Sequence, residues 1–212
     1  MEIKTFYFNP IRECCYVAWD ETKECVIVDP GSYGQREFQR LVDFVTAKEL
    51  KPVKVLLTHG HFDHILGLSE TAAQWPVEVM IHPADRALLP ESVKWGRQIG
   101  LALTPYEGPV TDLADGDTVR FGETELKVLG TPGHTPGGVC FYSEPDAVVF
   151  TGDTLFAGSI GRTDFAYGDY DALVDSIARK LMPLDGDTTV LPGHGPATSI
   201  GYERSTNPFL HA

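Results

Sequence analysis

Short runs at 3–8, 15–19 and 25–28, rich in β-branched and aromatic residues, predict three strands at the start of the chain. The period then changes. Glu37, Phe38, Leu41, Val42, Phe44 and Val45 fall on helical spacing, and the helix they predict ends near Leu50, before Pro52. Residues 53–57 read as a buried strand that runs directly into Thr58-His59-Gly60-His61-Phe62-Asp63-His64. A strand at 77–81 and a short helix at 83–89 follow, after which Gly, Pro and Thr thin out the pattern as far as Asp117. The second half repeats the grammar, with strands at 118–121, 125–129, 138–142, 147–150 and 188–191 and a helix at 170–182. No linker composition interrupts the chain, so residues 1–212 are expected to form one α/β domain of mixed sheets with helices outside.

Composition narrows the partners. The 212 residues carry 17 basic against 30 acidic side chains, a formal charge of −13 that repels phosphate backbones and anionic membranes. Nucleic acid and membrane are therefore not expected as partners, and a small-molecule substrate is. Residues 1–10 include Glu2 and Lys4 and hold no apolar core of signal-peptide length, which points to a cytoplasmic protein. Of the four cysteines, Cys14 and Cys15 are adjacent and Cys25 and Cys140 stand alone, matching neither a zinc knuckle nor a CxxC pair. They read as reduced, mostly buried thiols, with a bridge between two early strands as the alternative.

The chemistry lies in four turns. Each follows an apolar strand and is punctuated by glycine: VLLTHGHFDH at 55–64, VLGTPGH at 128–134, VVFTGD at 148–153 and VLPGH at 190–194. Strand ends at one edge of a sheet lie close in space, so these turns are expected to bring His59, His61, Asp63, His64, His134, Asp153 and His194 together. His59 and His61 point the same way from extended backbone, while Asp63 and His64 sit where a helix is expected to begin around Ile65. Five imidazoles and two carboxylates suffice for two divalent ions, zinc foremost with iron or manganese as alternatives, sharing Asp153 as a bridge. A lone histidine is more often structural. Four polar groups within six residues after a buried strand would, however, lie unpaired without water or a metal to satisfy them. His82 and His211 fall outside these turns and read as a capping or surface residue and a terminal one.

HxHxDH, TPGHTPG, TGD and LPGHGP, in this order over nearly the whole chain, resemble the metallo-β-lactamase superfamily. The resemblance implies an αββα sandwich with the site along one edge. It implies one ion on His59, His61 and His134, another on Asp63, His64 and His194, and Asp153 between them; His61 is unlike the glutamate typical of the flavodiiron branch.

Within that superfamily, the VDPG at 28–31, the GDTLF at 152–156 and the NPFL at 207–210 are similar to glyoxalase II and its small single-domain bacterial relatives. Only residues 195–212 follow His194, so a separate carboxy-terminal helical glutathione-binding domain is not expected. The implied activity is hydrolysis of an S-acylglutathione thioester by metal-bound hydroxide, held between ions roughly 3.5–4 Å apart, with Asp63 orienting the nucleophile or shuttling its proton. Arg162 in the GRTDF at 161–165 is a candidate carboxylate or phosphate clamp and Tyr167 a candidate aromatic wall; the competing reading pairs Arg162 with Asp164 or Asp169. The same segment resembles persulfide dioxygenases, which hold one iron on the equivalents of His59, His134 and Asp153. LPGHGP at His194 favours hydrolysis over that alternative, and a lactonase is a further one.

Overall fold

The computed structural model describes residues 1–210, and within them the two halves of the chain form separate six-stranded sheets. The first contains β1 (Glu2–Phe8), β2 (Glu13–Trp19), β3 (Glu24–Val28), β4 (Lys51–Leu56), β5 (Glu78–Ile81) and β6 (Thr111–Asp112), in that order. Its first three strands are antiparallel and β3 to β6 run parallel. The second is built from β7 (Thr118–Phe121), β8 (Thr124–Gly130), β9 (Val139–Ser143), β10 (Val148–Gly152), β13 (Thr189–Pro192) and β14 (Thr198–Ser199). Its spatial order is β14-β13-β10-β9-β8-β7, and a small hairpin of β11 (Leu155–Phe156) and β12 (Ser159–Ile160) stands apart.

Side-chain alternation explains the layering. In β2, Cys15, Val17 and Trp19 enter the core outside the first sheet, while Cys14, Tyr16 and Ala18 enter the core between the sheets. Likewise in β9, Val139 and Phe141 face the middle core, and Cys140 and Tyr142 face the one outside the second sheet. Three cores separate four layers. Leu41 and Val45 of α1 (Gly34–Ala47), Leu68 of α2 (Leu68–Gln74) and Val93 of α3 (Leu88–Gln98) cover the first sheet. Leu173 of α4 (Tyr170–Ser176) and Ile200 of α5 (Ile200–Thr206) cover the second. This is the αββα sandwich expected: β2 and β9 are buried on both faces, as the inner strands of a four-layer stack are, while β8 turns Glu125 and Lys127 to solvent beyond the covering helices.

Three expectations change. Helix does not begin at Ile65: residues Phe62–His64 form a single 3₁₀ turn, and α2 starts only at Leu68. Its delay keeps Gly67 against Pro30, whose carbonyl accepts the Gly67 N–H at 2.8 Å. The predicted helix at 83–89 is a 3₁₀ turn over Pro83–Asp85, and α3 occupies part of the stretch left without regular structure. Pro90 falls in the first turn of α3, where the missing N–H has no intrahelical role. Finally, the helix at 170–182 divides into α4 and a π-helical turn, Ile177–Leu181. His82 caps the Pro83 turn by accepting the Ala84 N–H, and His211 lies outside the described residues. The four cysteines are free and buried. Among the described residues, no helix is long and apolar enough to cross a membrane.

Candidate metal centre

The four turns meet at one edge of the sandwich, and they come from both sheets. His59, His61, Asp63 and His64 follow β4 of the first; His134 follows β8, Asp153 follows β10 and His194 follows β13 of the second. The expectation of a single sheet edge is thus corrected to an edge shared by two sheets. Main-chain bonds stitch it together: Val139 N–H donates to Thr58 O at 2.9 Å and Cys14 N–H to Gly193 O at 2.7 Å. Two glycines make the approach possible. Gly152 has φ +47°, and a Cβ there would strike the Thr58 side chain; one on Gly193 would strike Asp153 Oδ1 and His64.

The structure brings all seven predicted groups together. Ligand atoms of His59, His61 and His134 lie within 4.8 Å of one another, as do those of Asp63, His64 and His194. Asp153 lies between the groups, with Oδ1 3.3 Å from His64 Nε2 and Oδ2 3.5 Å from His134 Nε2 and 3.8 Å from His194 Nε2. His59 Nε2, His64 Nε2 and Asp153 Oδ1 are buried and have no hydrogen-bond partner. Orphaned atoms of this kind are costly unless a cation satisfies them, so the donor set fits a pair of divalent ions.

Four of the five imidazoles are held from behind. The Thr58 hydroxyl donates to Asp29 Oδ2 at 2.6 Å, so it can only accept from His59 Nδ1–H at 3.0 Å, which turns the His59 Nε2 lone pair inward. Asp29 Oδ2 also accepts from His64 Nδ1 at 2.9 Å, leaving His64 Nε2 inward. His134 Nδ1 donates to Arg162 O at 2.7 Å, and His61 Nε2 bonds the Tyr167 hydroxyl at 2.8 Å, so His61 presents Nδ1. Such outer partners fix tautomer and ring orientation in metal sites. His61 Nδ1 and His134 Nε2 stand 2.9 Å apart, close enough to share one cation.

Electrostatics agree with that geometry. Burial drives the His59 pKa well below its ordinary value and that of His61 down to about 3, keeping both neutral and able to donate lone pairs. Burial would lower His64 too, but Asp63, Asp153 and Asp29 around it raise its pKa well above the ordinary value. Burial opposes ionisation of Asp153, yet His64, His134 and His59 hold its carboxyl well below the usual range. A pocket that draws a proton this strongly draws a metal cation by the same field.

Of the two substrate-contact candidates, Tyr167 is turned to His61 and stacks with Phe165 and Trp95, at 5.7 and 6.1 Å between ring centroids. Arg162 lines the cavity, but its guanidinium makes a two-pronged ion pair with Asp164 at 2.9 and 2.8 Å, the competing reading of that residue. The cavity beside the metal residues measures about 220 Å³ and is walled by Ile11, Phe62, Trp95, Phe156 and Phe165.

Sequence reasoning missed several of these residues. Asp29 was visible only within the VDPG at 28–31, although it ends a buried strand as the ligand turns do. Trp95 lay in the unread stretch. Glu13, fully buried at the start of β2 and bridged through its backbone to His194, has no partner for its carboxyl, and burial raises its pKa well above the ordinary value. No spacing marks it.

Comparison with known proteins gives the same reading. Residues 13–194 match the model of the metallo-beta-lactamase superfamily. The chain is 34% identical over 214 residues to hydroxyacylglutathione hydrolase GloC of Haemophilus influenzae, covering 100% of this chain and 99% of that one. Crystal structures of the BLEG-1 B3 metallo-beta-lactamase and of TTHA1623 in a di-iron-bound form are similar, with TM-scores of 0.91 and 0.89 and identities of 37% and 38%. The former covers 100% of both chains, the latter 98% of this chain and 100% of its own. With two His/Asp clusters indicating dimetal binding, the chain belongs to the metallo-β-lactamase superfamily and is a metallo-hydrolase of that fold.

Proposed function

We propose that the protein hydrolyses S-acylglutathione thioesters, with one ion on His59, His61 and His134, a second on Asp63, His64 and His194, and Asp153 bridging. The observation that carries the reading is the full-length similarity to a hydroxyacylglutathione hydrolase, joined to this ligand arrangement beside a small apolar cavity.

Two divalent ions would supply Lewis acidity at the carbonyl and bring the pKa of water toward neutrality. The protein's own groups do the rest. Asp63 Oδ2, 3.0 Å from His194 Nε2, is the carboxylate placed to orient the attacking water and take its proton. Phe62, Trp95, Phe156 and Phe165 wall the cavity, an apolar surround that would limit water around a bound carbonyl and strengthen the electrostatic contacts there. A thiolate leaves readily, so a thioester needs less help from a general acid than an ester does.

Purified protein assayed with S-lactoylglutathione should release free thiol, lose that activity with chelator, and consume no oxygen. Glutathione-persulfide-dependent oxygen uptake, with thiol release no faster than without enzyme, would replace the reading with the mononuclear iron dioxygenase. Ester-ring opening without thioester cleavage would favour a lactonase.

A further inference from the structure

A cavity of about 220 Å³ is small for a whole substrate, since ligand pockets commonly span roughly 300–1,000 Å³. It suits a short acyl group and little more. A groove of about 500 Å³ adjoins it, lined by Tyr7, Ile11, Arg12, His194, Gly195 and Pro196. Ile11 and His194 line both spaces, so the groove leads away from the metal residues on the His194 side.

Among the described residues no carboxylate lines the groove, in a chain with a formal charge of −13. Arg12 lies in no ion pair among the described residues, and its guanidinium rests over the Tyr7 ring at 5.4 Å. Arg162, the other cation at these walls, is occupied by Asp164.

The turn that presents Arg12 is fixed to the metal centre. Asn9 Nδ2 donates to Gly31 O at 3.0 Å and to Asp63 O at 2.9 Å, and Asn9 Oδ1 accepts the Ile11 N–H at 3.0 Å. Arg12 N–H closes the turn on Asn9 O at 3.1 Å. The backbone that carries Arg12 is therefore held in place relative to Asp63.

We infer that this groove receives the thiol half of the thioester and that Arg12 binds a carboxylate carried by it. The inference rests on the thioesterase reading above. It names a substrate class: thioesters whose thiol portion is peptide-sized and anionic. A guanidinium stacked on an aromatic ring keeps its outer N–H edge free for a two-pronged carboxylate contact. It also offers a local attraction that the chain's overall charge denies to an anion.

The test uses two thioesters with one acyl group, S-lactoylglutathione and the uncharged S-lactoyl-N-acetylcysteamine, on the metal-loaded wild type, Arg12→Gln and Arg12→Lys. Arg12→Gln should raise KM for the glutathione thioester about tenfold with little change in kcat, and leave KM for the uncharged one as it was. Arg12→Lys should recover part of the loss. Calorimetric binding of the non-hydrolysable S-hexylglutathione should weaken by the same factor in Arg12→Gln. An equal KM change for both thioesters, or none for the glutathione one, overturns the subsite. Turnover of neither thioester by the wild type would instead sink the thioesterase reading, and S-hexylglutathione binding then decides the subsite by itself: Arg12-dependent binding supports it and Arg12-independent binding overturns it.

Discussion

Asp29 Oδ2 accepts the His64 Nδ1–H bond at 2.9 Å and, through the Thr58 hydroxyl at 2.6 Å, also sets the tautomer of His59. One buried carboxylate thus aims an imidazole at each of the two candidate ion positions. Asp29 sits at φ +51°, a backbone region that aspartate and asparagine tolerate, so Asp29→Asn keeps the turn and changes only the chemistry. With its amide oxygen accepting the Thr58 N–H, the amide NH₂ would face His64 Nδ1 and force that nitrogen to accept. The proton would then move to Nε2, where the metal should be. Metal affinity is expected to fall on the order of 10–100-fold, read by competition with a chromogenic chelator. Wild-type affinity in this variant would show that Asp29 does not set the tautomers.

Asp63→Asn should lower turnover by at least about 10²-fold, because it removes both an anionic candidate ligand and the proton acceptor. The fold should survive, since Asp63 lies in a 3₁₀ turn at the sandwich edge and not in a strand. Steady-state kinetics beside circular dichroism separate the two effects. Near wild-type turnover would show that the proton goes elsewhere.

Reconstitution with excess Zn²⁺, Fe²⁺ or Mn²⁺ should give two ions per chain by elemental analysis. Chelator should then lower the melting temperature as well as the activity, because an ion bound only by the folded state stabilises it by mass action. The orphaned His59 Nε2, His64 Nε2 and Asp153 Oδ1 are the atoms that lose their partner. A ceiling of one ion per chain under all three metals would refute the two-ion site.

What was legible in the sequence follows from how local each signal is. His59, His61, Asp63 and His64 announce themselves because they crowd six residues after a buried strand. His134, Asp153 and His194 are legible because each ends an apolar strand at a glycine. The αββα layering was less so, since strands buried on both faces, such as β2, lose the polar alternation that reveals which side is the core. α3 escaped because Pro90, Gly96 and Gly100 mimic a loop, and their cost is offset by packing that only the fold supplies. The Asp29–Thr58 pair joins residues 29 apart, the Glu13 backbone meets His194 from the other half of the chain, and no spacing within their own segments encodes either.

The buried thiols give the last prediction. Burial raises Cys25 to about 12 and Cys140 to about 11, against an unperturbed value of 9.0. An acid whose folded pKa lies above its unfolded one contributes stability that is present in full below the unfolded value and lost as pH rises through the folded one. For Cys25 that window runs from about pH 9 to about pH 12, in which the unfolded chain releases a proton that the folded chain retains. Stability should therefore fall across it by about 1.4 kcal/mol per pH unit for each such thiol. Cys25→Ala removes one of them at the cost of a small cavity beneath α1, so the variant should be the less stable at pH 7.5. Between pH 9.5 and 11 its deficit should shrink, because the wild type alone loses the Cys25 contribution. Urea unfolding under reducing conditions at these pH values measures the difference, and other titrating groups cancel between the two proteins. A deficit that stays constant across the window would mean that Cys25 ionises as readily in the fold as out of it.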